Sequence, residues 1–188
     1  MKKLFLICIL SIAPGAIFAN SPMFGKSENQ FGFYSGIGTG GSSIYNLIPG
    51  AKWNLKPFLN FMLQYSQPTK VFRLPARYSF HAGRLFGFGE SDGEDWRSYT
   101  QTIVGLSMDL IPFHSEKFYF GAGLGIFEKS KIDIRQDSRF VFGLRFFTGY
   151  RISERWSAEF FTRHFSNGNL TPRNRSYNLA GLAVLINF

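Results

Sequence analysis

The sequence predicts an all-β fold, an eight-stranded antiparallel transmembrane β-barrel. Three observations carry this. Eight segments alternate between large apolar residues and small or polar ones, the period of a strand. The composition is rich in Phe (23) and Gly (20), with aromatics at 18%. That suits a barrel with aromatics toward lipid and glycines crowding the lumen. The connections alternate short and long, as when two rims face different compartments.

The first nineteen residues are expected to lie outside the fold. Lys2 and Lys3, the apolar run Leu4 to Ile12 and the sequence Ala16-Ile17-Phe18-Ala19 read as a signal peptide spanning 1–19, cut after Ala19. Such a run is too short to cross a membrane as a helix. The only cysteine, Cys8, falls inside it, so residues 20–188 carry no disulfide or thiol chemistry. They are long enough for a single barrel domain. Removing the two signal lysines lowers Lys+Arg from 21 to 19 against 12 acidic residues, leaving about +7. A basic exported chain points to anionic lipid, and export argues against nucleic acid.

The strands are placed near 31–40, 57–66, 71–88, 97–112, 117–128, 139–151, 155–165 and 177–188. The third is the least regular, with Pro75 marking a bend or bulge. In the fifth, Phe118, Phe120, Ala122, Leu124 and Ile126 oppose Gly121, Gly123 and Gly125. In the sixth, Phe140, Phe142, Leu144 and Phe146 oppose Gly143, Arg145, Phe147 and Gly149. The seventh sets Trp156, Ala158, Phe160 and Thr162 against Ser157, Glu159, Phe161 and Arg163. The eighth sets Ala180, Leu182, Val184, Ile186 and Phe188 against Leu179, Gly181, Ala183, Leu185 and Asn187. Turns at Gln67-Pro68, His114-Ser115-Glu116 and Ser153-Glu154 are short, while those at 41–56, 89–96, 129–138 and 167–176 are long and polar. Short turns then face the periplasm and long loops the exterior. A soluble barrel of the lipocalin kind is the alternative, but it would carry its large apolar side chains inside. Here the inner face is read as glycines with Arg145, Arg163, Glu159, Asp109 and Gln101, with Glu159 expected to pair with Arg163 or Arg145. Tyr99, Trp96, Trp53 and Trp156 are read as interfacial girdle residues.

Polar residues intrude on the apolar face at one place. Continuing the seventh strand puts His164 and Ser166 on the same side as Phe160. Pairing the last two strands with His164 opposite Asn178 also pairs Phe160 with Leu182 and Trp156 with Ile186, which keeps every large apolar group outside. His, Ser and Asn then meet at the outer rim. A His can act as base to a Ser hydroxyl, and a third polar group on its other ring nitrogen fixes the tautomer. Asn167, with a loop backbone N–H, supplies donors for an oxyanion. The alternative is that these are ordinary interfacial polar residues.

The run Arg163-His164-Phe165-Ser166-Asn167, followed by a polar loop and a final strand, resembles the lipid A 3-O-deacylase family of outer-membrane barrels. The resemblance implies an outer-membrane serine esterase that removes an ester-linked acyl chain from lipid A of lipopolysaccharide. It implies His164 as base, Ser166 as nucleophile and Asn167 at the oxyanion. In the family pattern a glycine lies at the place of Asn169, whereas here the glycine is Gly168. The family places a glutamate where this chain has Asn178, so Asn178 is the expected orienting residue without the charge of an acid. The alternative is a non-catalytic structural or adhesive barrel with a degenerate site. Arg173 and Arg175, in the outer loop, are candidate contacts for lipid A phosphates. Glu90, Asp92, Glu94 and Asp95 form an acidic stretch that is either a solvated loop or a divalent-cation site. No metal or organic cofactor is implied. The expected partners are lipid A, the outer membrane, the barrel assembly machinery through the terminal Phe188, and a second copy of the chain in a homodimer.

Overall fold

A computed structural model describes residues 29–40, 55–92 and 95–188. The expected signal peptide and most of the first long loop, with Trp53, lie outside the described residues. Eight strands follow in order: β1 (Gln30–Thr39), β2 (Leu55–Val71), β3 (Leu74–Asp92), β4 (Asp95–His114), β5 (Phe118–Lys129), β6 (Phe140–Arg151), β7 (Trp156–Ser166) and β8 (Tyr177–Asn187). Each pairs antiparallel with its sequence neighbours, and β8 pairs with β1 to close the barrel.

The outer wall is apolar. Phe31, Phe33, Leu63, Phe80, Leu106, Phe120 and Val184 all face outward, and Leu124 and Leu182 are 68% and 67% exposed. A charged network lies inside. Arg77 Nε donates to Asp109 Oδ2 at 2.7 Å, and Arg145 also bonds Asp109. Apolar exterior and charged lumen exclude the soluble barrel, since water would meet the wrong face.

Two readings of the lumen are corrected. Glu159 pairs with neither Arg163 nor Arg145. It forms an ion pair with Arg77 at 2.8 Å and accepts from Tyr34 at 3.0 Å and Tyr119 at 2.9 Å. Arg163 instead donates to Met62 Sδ at 2.7 Å and lies among the rings of Tyr34, Phe127, Phe161 and Phe165. Nor is the lumen filled only by small residues and charges. Phe58, Phe127, Phe147, Phe161, Phe165 and Tyr177 are buried there. The glycines make room for them. A Cβ on Gly121 would lie 2.3 Å from the Phe147 ring, and one on Gly149 would lie 2.0 Å from Tyr119. Tyr99 also turns inward against Tyr177 rather than joining a girdle, whereas Trp156 faces outward.

The strand ends differ from expectation at the β2–β3 and β3–β4 hairpins. β2 does not turn at Gln67-Pro68 but runs to Val71, which pairs with Leu74. Pairing of β1 with β2 stops at Gln30–Ser66, and pairing of β3 with β4 begins at Ala76–Leu110. Pro68 and Pro75 therefore lie in a two-stranded ribbon beyond the closed wall. There a missing N–H can face an unpaired side at no cost. The expected long loop at 89–96 is instead largely strand, with Glu90–Arg97, Ser91–Trp96 and Asp92–Asp95 paired beyond an irregularity after Gly87. The side chains of the acidic stretch lie outside the described residues.

The ribbon ends on Phe72 (φ 48°) and Arg73 (φ 67°), with Phe72 94% exposed. Side chains with a Cβ disfavour this left-handed region, which a two-residue hairpin normally fills with Asn-Gly. Replacing Phe72-Arg73 by Asn-Gly should stabilise the barrel by about 1–3 kcal/mol, read as a shift in its urea unfolding midpoint.

Candidate active site

The pairing of β7 with β8 brings the polar cluster together. His164 sits opposite Asn178, Phe160 opposite Leu182 and Trp156 opposite Ile186, the register chosen above from among those that keep the large apolar groups outside. His164 Nδ1 lies 2.6 Å from Asn178 Oδ1. An amide oxygen only accepts, so Nδ1 carries the proton and Nε2 keeps its lone pair. That is the tautomer a general base needs. Asn178 is fully buried and His164 is 8% exposed, so the pair is held by packing as well as by the bond. Ser166 is half-buried at the strand end, next to Phe142 of β6, and His164 lies beside Leu144. Below them Thr162 and Ala180 give way to Phe160 and Leu182, so the cluster crowns an apolar wall.

Ser166 and His164 are not hydrogen-bonded to each other in this structure. Two residues apart on one face, their Cα atoms are separated by roughly 6.5–7 Å.

The loop after Ser166 is folded around Asn167. Its Nδ2 donates to Thr171 Oγ1 at 2.5 Å and to the Arg173 carbonyl at 3.0 Å. Its Oδ1 accepts from the Asn169 N–H at 2.9 Å, and its own N–H donates to Asn174 Oδ1 at 3.0 Å. The amide expected at the oxyanion is thus committed to the loop. Gly168 (φ 64°) and Asn169 (φ 61°) are consecutive left-handed residues that reverse the chain beside Ser166. A Cβ at Gly168 would also lie 2.9 Å from the Phe142 ring, so glycine is required there twice over. Arg173 and Arg175 are exposed on the outer loop.

Sequence reasoning placed a long loop at 129–138 but missed its contacts with the site. Residues 130–139, between β5 and β6, reach across to the Ser166 loop. Gln136 pairs with Asn174 as an isolated bridge, and Arg135 Nη2 donates to the Ser176 carbonyl at 2.6 Å. These contacts join segments about forty residues apart, and no local pattern announces them.

An apolar wall, a packed charged lumen and a polar cluster at one rim define the class: an eight-stranded barrel of the outer-membrane type. The model of the lipid A 3-O-deacylase (PagL) family matches residues 59–187, and the chain belongs to that family. The fold is similar to the crystal structure of the outer membrane enzyme PagL, at 15% identity and TM-score 0.55, covering 83% of this chain and 98% of that one. It is also similar to Neisserial surface protein A (NspA), at 13% identity and TM-score 0.53, covering 85% of this chain and 97% of that one. No curated protein matches the chain by sequence.

Proposed function

We propose that this protein is an outer-membrane serine esterase that removes an ester-linked acyl chain from lipid A. The observation that carries the reading is the His164–Asn178 bond of 2.6 Å, which presents the basic ring nitrogen on the face and strand that hold Ser166. Membership of the deacylase family supplies the substrate class. The long-loop rim faces the exterior, so the cluster lies at the level of the outer leaflet and lipid A reaches it from the membrane side. Phe142, Phe160 and Leu182 offer an apolar bed for the acyl chain.

Ser166 Oγ attacks the ester carbonyl carbon while His164 Nε2 takes the hydroxyl proton. The imidazolium then returns that proton to the departing sugar oxygen, and the acyl group stays on Ser166. Water, activated by the same nitrogen, releases the fatty acid. Asn178 holds the ring. Asn167 serves the oxyanion by folding the loop that carries the Gly168 N–H, two positions after Ser166. Arg173 and Arg175 contact the lipid A phosphates. The rival reading, a non-catalytic barrel, draws on one feature: Asn178 lacks the charge of the family's glutamate. Mass spectrometry of lipid A from cells with and without the protein tests the proposal. A species lighter by one ester-linked acyl chain is expected only with it, and identical spectra would favour the rival.

A further inference from the structure

We propose that Gln136 and Asp137, in the loop between β5 and β6, are positioning residues for the Ser166 site. This inference rests on the esterase reading above. The nucleophile needs such support because of where the sheet stops. The β7–β8 ladder ends at Phe165–Tyr177, one residue short of Ser166. On that side Ser166 has no strand partner, and strand ends open readily.

The neighbouring loop takes over. Gln136 is fully buried, and its Nε2 donates to the carbonyl of Phe165 at 3.2 Å. Phe165 is the residue between His164 and Ser166, so this bond acts on the backbone that spaces base and nucleophile. Asp137 grips the far side of the Ser166 loop. One carboxylate oxygen accepts from Thr171 Oγ1, and the other accepts from the Arg173 N–H at 3.3 Å. Thr171 is also the acceptor of Asn167, so Asp137 and Asn167 hold the same hydroxyl from opposite sides.

The brace is itself rigidly founded. Asp133 Oδ1 accepts from the N–H groups of Arg135 at 2.8 Å and Gln136 at 3.0 Å. Its Oδ2 accepts from Lys129 Nζ at 2.6 Å and Gln101 Nε2 at 2.7 Å, both on the barrel wall. The Gln136 and Asp137 contacts therefore tie the reactive strand end to β4 and β5, on the far side of β6.

Gln136→Met is the most telling variant. It keeps the length of the side chain and removes the donor to Phe165. It also removes Gln136 Oε1, which is buried without a partner, and this offsets part of the cost of leaving the Phe165 carbonyl without its donor. The full-length protein would be assayed on purified lipid A in detergent micelles. Folding would be followed by heat-modifiable electrophoretic mobility. Gln136→Met should lower kcat by about 10–100-fold with KM unchanged, the scale of a misplacement near 1 Å. Asp137→Ala should act likewise, and Asp137→Glu should recover most of the loss. Wild-type kcat in both Gln136→Met and Asp137→Ala would overturn the inference. So would a loss matched by an equal loss of folded barrel, which would make the brace structural. An inactive wild-type protein would overturn the esterase reading itself, and this inference with it.

Discussion

Ser166→Ala and His164→Ala should each reduce lipid A deacylation by about 10⁴–10⁶-fold in kcat, while the barrel still folds and inserts. The expectation follows from the division of labour. On the esterase proposal Ser166 supplies the attacking oxygen and His164, bonded to Asn178 at 2.6 Å, the base. Removing either leaves only the catalysis that substrate binding and the oxyanion donors provide. The two losses should not add, because the groups act as one unit, so the double variant should resemble each single one. Both residues stand at the C-terminal end of β7, away from the Arg77, Asp109, Arg145 and Glu159 network that fills the lumen. Folding, read by heat-modifiable mobility, should therefore be unchanged. Appreciable turnover by folded Ser166→Ala would exclude an acyl-enzyme on this side chain.

The second large effect is expected at Asn178, which is bonded to the His164 ring. Asn178→Ala removes the acceptor that holds the proton on Nδ1 and leaves a cavity beside the ring. The imidazole can then rotate or carry its proton on Nε2, where it cannot act as base. Loss of the correct tautomer costs a serine protease ~10⁴ in kcat when Asp becomes Asn. Here the lost group is neutral, so the expected fall is smaller, about 10–10³-fold in kcat with KM nearly unchanged. Asn178→Asp has the same shape and adds a charge that stabilises the imidazolium, so its kcat should equal or exceed wild type. Asn178→Glu restores the family residue and should also be active, although the added methylene must fit at a fully buried position. The new carboxylate would face the His164 ring N–H that Asn178 Oδ1 now faces, a partnered position, so neither acid should unfold the protein. Wild-type kcat in Asn178→Ala, beside a dead Ser166→Ala, would place the orienting group elsewhere.

Much of this site is legible in the order of residues alone. A strand alternates with period two, and slipping a register by one residue sends every apolar side chain into the lumen. Only pairings that keep Phe160, Leu182, Trp156 and Ile186 outside survive, and the register with Asn178 opposite His164 is among them. Strand number and the apolar wall are therefore properties of the sequence by itself, while the pairing of the last two strands selects the register that joins His164 to Asn178. The tertiary structure decided what crosses the barrel or passes between loops. Glu159 and Arg77 meet across the lumen through closure of the sheet, although they are 82 positions apart. Aromatic rings enter the lumen because glycines on neighbouring strands leave room, as Gly121 does for Phe147. The same holds for Gln136 and Phe165, joined 29 positions apart by two loops folding onto each other. Periodicity ranks the neighbours along and between adjacent strands, where backbone geometry sets the spacing. Contacts through the lumen and over the rim depend on side-chain volume and on how the closed sheet is staggered, and no local pattern encodes either.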